Sequence, residues 1–138
     1  MGRYSTIIEA IQDILENVTG VQEVFTHEPQ QFTKYPSVTV TPLGHHEEYL
    51  SLRDTKREYT IVIRVYGQLD NTRVDTQEVI RDLADDIIDE LGKQENLKLS
   101  GHCDYSELTD CVFKFVQKES SLYLAEITMK TINTYVRV

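Results

Sequence analysis

The sequence predicts an α+β sandwich, a mostly antiparallel sheet packed against two helices. Three observations lead there. Val74 to Leu91 places Val79, Ile80, Leu83, Ala84, Ile87, Ile88 and Leu91 at steps of three and four, the apolar stripe of an amphipathic helix. Tyr4 to Val18 does the same with Ile7, Ile8, Ile11, Ile14, Leu15 and Val18. Lys56 to Tyr66 instead alternates, with Tyr59, Ile61, Ile63 and Val65 on one side and Thr60, Val62, Arg64 and Tyr66 on the other. That period makes a strand whose apolar face needs a helix to cover it.

The first helix has Ser5 as its expected cap and ends at Thr19-Gly20. Val21 to Thr26 reads as a short strand, and HEPQQFTKYP as a loop by its proline and polar content. Ser37 to Thr41 sets Val38 and Val40 against Ser37, Thr39 and Thr41, a strand with one wet face. From Leu43 to Arg57 the pattern loosens over a stretch longer than a tight hairpin needs, so an extended β-arm or a loop is expected there. After the Lys56 to Tyr66 strand, Gly67 and Asp70-Asn71 turn the chain into the central helix. Asp75 with Glu78 has capping-box spacing at its start, and Gly92 offers a left-handed stop at its end. KQENLKLSGHCDYSELTD is irregular, with one short strand expected around Leu97 to Leu99. Cys111 to Lys118 and Leu122 to Ile132 form two strands joined through Glu119-Ser120-Ser121, which is hairpin length. The whole, 1–138, reads as one domain with a projecting arm or loop at about 44–57.

With 40% hydrophobic and 27% charged residues the chain reads as soluble and globular. No apolar run approaches a membrane span, and the acids inside MGRYSTIIEAIQDIL argue against a signal peptide. Met1, Gly2 and Thr6 fit the loose myristoylation pattern, which chance meets easily. The expected location is the cytoplasm or an assembly built there. A net charge of −9, from 23 acids and 14 bases, is the wrong sign for a general grip on nucleic-acid phosphates. It is compatible with a surface past which DNA slides. Cys103 and Cys111 are too few for a disulfide framework and are expected reduced.

His45-His46-Glu47-Glu48 offers metal-ligand side chains, with His27 and His102 elsewhere. Neighbours on an extended segment point opposite ways, and no HExxH or CxxC spacing supports them, so the expectation is a solvated loop and no metal. His102 beside Cys103 or Cys111 could suggest a thiol nucleophile. Cys111, however, opens an apolar strand as a small hydrophobe, and neither cysteine sits at a helix N-terminus that would lower its pKa. No nucleophile elbow, phosphate-binding glycine loop or dinucleotide fingerprint is present, so no catalytic residue and no cofactor are expected.

The outer face of the central helix carries Asp82, Asp85, Asp86, Asp89 and Glu90, an acidic ridge with like charges at i,i+4. Such a ridge is either a solvated face or a surface that meets bases on a neighbouring subunit or lines a channel. Arg53, Lys56 and Arg57 in the long connection are the matching bases. Tyr49, Leu50 and Leu52 beside them are poor choices for a solvated loop and favour a packed arm.

VFTHEPQQFTKYPSVTVTP (Val24 to Pro42), then REYTIVIRVYGQ and the closing LAEITMKTINTYVRV resemble the tail terminator or tail completion proteins of long-tailed bacteriophages. There a helix leads into a strand, an E-P…Y-P loop and a V-T-V-T strand, followed by a long connection, a strand with an aromatic-Gly step, an amphipathic helix and a terminal hairpin. The resemblance implies a tail-terminator-like sandwich and a ring, typically a hexamer, that caps the tail tube and offers a docking face to the neck of the head. It implies a virion protein assembled in the host cytoplasm, with tail tube and head-tail connector proteins as partners, no membrane and no catalytic residue. DNA would pass through a lumen that repels phosphate. Contacts in a ring are heterologous, so the acidic ridge and the 45–57 connection become candidates for two complementary patches. Another connector, such as a head-closure protein, and a small intracellular enzyme or ligand-binding domain using the His45 to Glu48 loop are the competing readings.

Overall fold

The computed structural model describes residues 2–69, 76–117 and 121–136. Its elements are α1 (Arg3–Leu15), β1 (Glu23–Phe25), β2 (Ser37–Tyr49), β3 (Asp54–Gln68), α2 (Thr76–Leu91), β4 (Tyr105–Gln117) and β5 (Ser121–Val136), with short 3-10 turns at Gln94–Asn96 and Leu99–Gly101. The class is α+β, around one five-stranded sheet in the order β1-β2-β3-β5-β4. The sheet is mixed: β1 runs parallel to β2, while β2-β3, β3-β5 and β5-β4 are antiparallel. The Asp75 cap, the Asp70-Asn71 turn, Lys118, the Glu119-Ser120 link and Met1 lie outside the described residues.

Both helices lie on one face. Ile7, Ile8, Ile11 and Leu15 of α1 and Ile80, Leu83, Ala84, Ile87 and Leu91 of α2 form a single core with Val38, Val40, Tyr59, Ile61, Ile63, Val65, Ala125, Ile127 and Met129 of the sheet. Each large side chain so buried contributes about 1.5–3 kcal/mol. Of the expected stripe, Val79 is exposed, because the contact with the sheet is centred on the side of α2 that carries Ile80 and Ile87.

The parallel β1-β2 pair requires a crossover, and the chain from 26 to 36 makes it over the face opposite the helices. Phe32 and Tyr35 pack there on Tyr66, Leu122 and Leu124, a second small core. Ser37 and Thr39, expected on a wet face, are fully buried beneath that crossover.

Several boundaries differ from expectation. Gly2, without a side-chain bond, caps α1, and Ser5 lies inside the helix. α1 stops at Leu15, and Gly20 at φ +101 completes the turn that follows. Gly92 does not take a left-handed φ; the chain passes directly toward the first 3-10 turn, where the Asn96 amide donates to the Glu90 carbonyl at 2.8 Å. Leu97 to Leu99 is no strand. With Leu99 and Ser100 at φ 47 and 57, the segment doubles back and buries Leu99 in the core. β4 starts at Tyr105, six residues before the expected start at Cys111, and a register shift at Leu108/Asp110 blurs its alternation. No helix among the described residues is long and apolar enough to cross a membrane.

Candidate assembly surfaces

The loose stretch after Leu43 continues β2 and β3 as an antiparallel hairpin out to Tyr49↔Thr55. β5 accompanies β3 to the Asp54↔Val136 pair, so this extension is three-stranded on one side. Its closure is specific. Leu50 N–H donates to the Asp54 carbonyl at 2.9 Å, and the Ser51 hydroxyl accepts from the N–H groups of Arg53 and Asp54 at 3.2 and 3.0 Å. The tip therefore holds a defined shape while its apolar side chains face water: Tyr49 and Leu50 are exposed, and Leu52 is 94% exposed.

The three bases of this region part company. Arg53 at the tip and half-buried Lys56 form no ion pair among the described residues. Arg57 is fastened within its own chain, ion-paired with Glu47 directly across the ladder and donating to the Tyr59 hydroxyl at 3.0 Å. Hydrogen bonding from Arg57 holds the Glu47 carboxyl below the usual range. The base of the hairpin is aromatic as well. Tyr4 meets Tyr59 edge-on at 4.8 Å, Tyr4 and His45 are hydrogen-bonded, and the Arg3 guanidinium lies 3.9 Å over the Tyr135 ring. His45 thus joins α1 to the hairpin through Tyr4, Glu47 is held by Arg57 within the hairpin, and His45, His46 and Glu48 are all exposed. No group of three or more His, Cys, Asp or Glu side chains among the described residues is placed to hold a metal ion.

On α2, Asp82, Asp85, Asp86 and Asp89 are exposed along the outward face. Glu90 stands apart, half-buried and paired with Lys93 at 2.6 Å. Asp85 lies near enough to β4 that, after burial, its charge is the second influence raising the pKa of the Cys111 thiol. Cys103 is buried, and burial followed by the Asp104 charge pushes its thiol up to about 11. Both shifts run against a nucleophilic thiolate at neutral pH.

Sequence reasoning missed one surface. β4 is an edge strand, and CVFKFV within it is not a buried hairpin partner. α2 packs over β3 and β5 and leaves the helix side of β4 uncovered, so Cys111, Phe113 and Phe115 face solvent there, Phe115 at 64% exposure. Phe113 stacks on Tyr123 at 5.8 Å and Phe115 tilts against the same ring at 5.0 Å. Val112 is exposed on the other side of the strand. A long apolar edge is a template for pairing with another chain, and proteins that stay monomeric blunt such edges with proline, charge or a cover. From Cys111 to Val116 only Lys114 does so. The signal available in the sequence was the run itself, apolar at both parities without Pro or Gly; nothing in it distinguishes an edge from a centre.

No known family model matches the chain, and no characterised protein matches it in sequence.

Proposed function

We propose that this chain is a structural subunit of a long-tailed phage virion, assembling into a ring that caps the tail tube and offers a docking face to the neck. The resemblance of Val24 to Pro42 and of the closing strand supplies the identity of the assembly. The observation that carries self-association is the bare edge of β4, with Phe113 and Phe115 exposed on one side and Val112 on the other. Exposed apolar patches of this kind on a structured domain mark surfaces meant to be covered. The net charge of −9 suits a ring through which DNA passes unheld. Tail tube protein and a neck or connector protein are the partners on its two faces, and assembly takes place in the host cytoplasm.

Electron microscopy of the purified protein, alone and with tail tubes, tests this directly. Rings seated at the head-proximal end of the tube are the expected result, and a protein that stays monomeric and leaves tube ends bare overturns the reading. Rings seated on the head vertex instead assign the chain to head closure. Replacing Phe115, the more exposed of the two, with Lys should abolish the rings while costing the monomer only the contact of its phenyl group with Tyr123, about 0.5–1.5 kcal/mol in thermal unfolding.

A further inference from the structure

We propose that the hairpin tip of one copy, Tyr49 to Arg53, docks into the trough between α2 and β4 of a second copy. This rests on the ring reading above and names its contact. The trough has an apolar floor, Cys111, Phe113 and Phe115, which the helix fails to cover. Its wall is the flank of α2 that brings the Asp85 carboxylate near enough for its charge to act on Cys111, with Asp82 and Asp89 exposed along the adjoining outward face. The tip has the matching chemistry in a closed turn: Leu50 and Leu52 project into solvent, and Arg53 and Lys56 form no ion pair among the described residues. Apolar surface meets apolar surface, and two bases meet acids, Asp82, Asp85 and Asp89, that form no ion pair among the described residues.

Topology makes the contact intermolecular. The tip adjoins Asp54, whereas Phe115 pairs with Tyr123, which pairs with Gly67 near the opposite end of β3. At about 3.3 Å per residue the tip lies roughly 40 Å along β3 from Phe115, and roughly 30 Å from Cys111, which aligns through Ile127 with Ile63, so no chain reaches its own trough. Two different patches joined in this way give a heterologous contact, which closes into a ring when the rotation allows. The other free edge is a poorer partner for β4. β2 carries Pro42 and a register shift between Pro42 and Gly44, and β1 covers its start.

The exposed native thiol of Cys111 supplies the test. A double variant, Leu52→Cys with Cys111→Ser, carries a tip thiol and no trough thiol, and the unmodified chain carries the reverse. Mixed and mildly oxidised or treated with a short bismaleimide, the two should give a covalent dimer that neither gives alone. Leu52→Cys by itself, with both thiols, should give a ladder of covalent oligomers. Leu43→Cys, also open to solvent but in the body of β2, should give none. Arg53→Glu with Lys56→Glu should weaken association by about tenfold or more, and a second copy carrying Asp85→Lys and Asp89→Lys should restore it. Oligomers of full size without the tip-to-trough link overturn this contact and leave the ring reading standing. A Cys111 to Cys111 link in the unmodified chain overturns it in favour of symmetric β4 pairing. Absence of association under every condition, tubes included, removes both.

Discussion

Glu28 does more at the level of single residues than its place in an irregular loop suggests. Its carboxylate accepts from the Thr39 hydroxyl at 2.7 Å, the Arg64 guanidinium at 2.9 Å and the Tyr66 hydroxyl at 3.0 Å. Arg64 in turn donates to Glu126 at 2.9 Å, and Lys114 reaches the same carboxylate at 3.2 Å. One line of charge thus runs from the crossover to the edge strand over the face opposite the helices. Glu28→Ala leaves the buried Thr39 hydroxyl without this acceptor and should cost about 1–3 kcal/mol in urea unfolding. Burial alone would raise the Glu126 carboxyl, but the hydrogen bonds from Arg64 and Lys114 outweigh it and hold the pKa below its usual value. A carboxylate depressed in the folded state stabilises above its unfolded pKa, and that contribution fades as pH falls through the folded value. Glu126→Gln should therefore be less stable than the parent at pH 7, by about 1 kcal/mol because water screens part of the pair, and the gap should close as pH falls below the ordinary carboxylate range. None of these bonds was legible beforehand. Arg64 and Glu126 stand 62 positions apart, and Thr39 in an alternating strand looks like any solvent-facing threonine.

Elements were legible where one face is apolar and covered from one side only. α2 and the core of β3 follow their periodicity closely, since the residues at three-four and at two-residue steps are the ones the core takes up. Legibility failed where covering came from somewhere without a pattern. The crossover at 26–36 buries the second face of β2, and the missing cover over β4 exposes a strand that reads as interior. Gly67 marks the same limit. It reads as a turn residue, yet it sits inside β3 paired with Tyr123, where the strand runs directly beneath α2. A Cβ there would lie 2.6 Å from Cγ1 and 2.7 Å from Cδ1 of Ile80, a side chain with no exposed surface to move into. Gly67→Ala should destabilise by about 1–3 kcal/mol through overpacking. Adding Ile80→Val, which removes the Cδ1 methyl, should return part of that loss, and a double-mutant cycle with a coupling near zero would mean that the helix simply shifts aside.

At the scale of the whole molecule, the acids of α2 pose a choice that stability and assembly answer with opposite signs. Asp82–Asp86, Asp85–Asp89 and Asp86–Glu90 are like charges at i,i+4, each destabilising by about 0.2–0.5 kcal/mol, and Asp89 lies at the unfavourable end of the helix dipole. Asp85, Asp86 and Asp89 replaced together by Asn relieve all three pairs and bring the net charge from −9 to −6. The isolated chain should then become more stable, by about 1 kcal/mol at low salt, with the gain shrinking as salt rises. If the ridge is only a solvated face, association should hold or improve, because reduced repulsion between copies is the sole remaining effect. If it receives the basic tip of a neighbour, association should weaken despite the more stable fold, and added salt should weaken the parent assembly toward the level of the variant. Thermal unfolding of the monomer and sedimentation of the assembly, measured on the same variant at two salt concentrations, separate the two cases. Stabilisation with undiminished assembly would leave the acids of α2 without a partner.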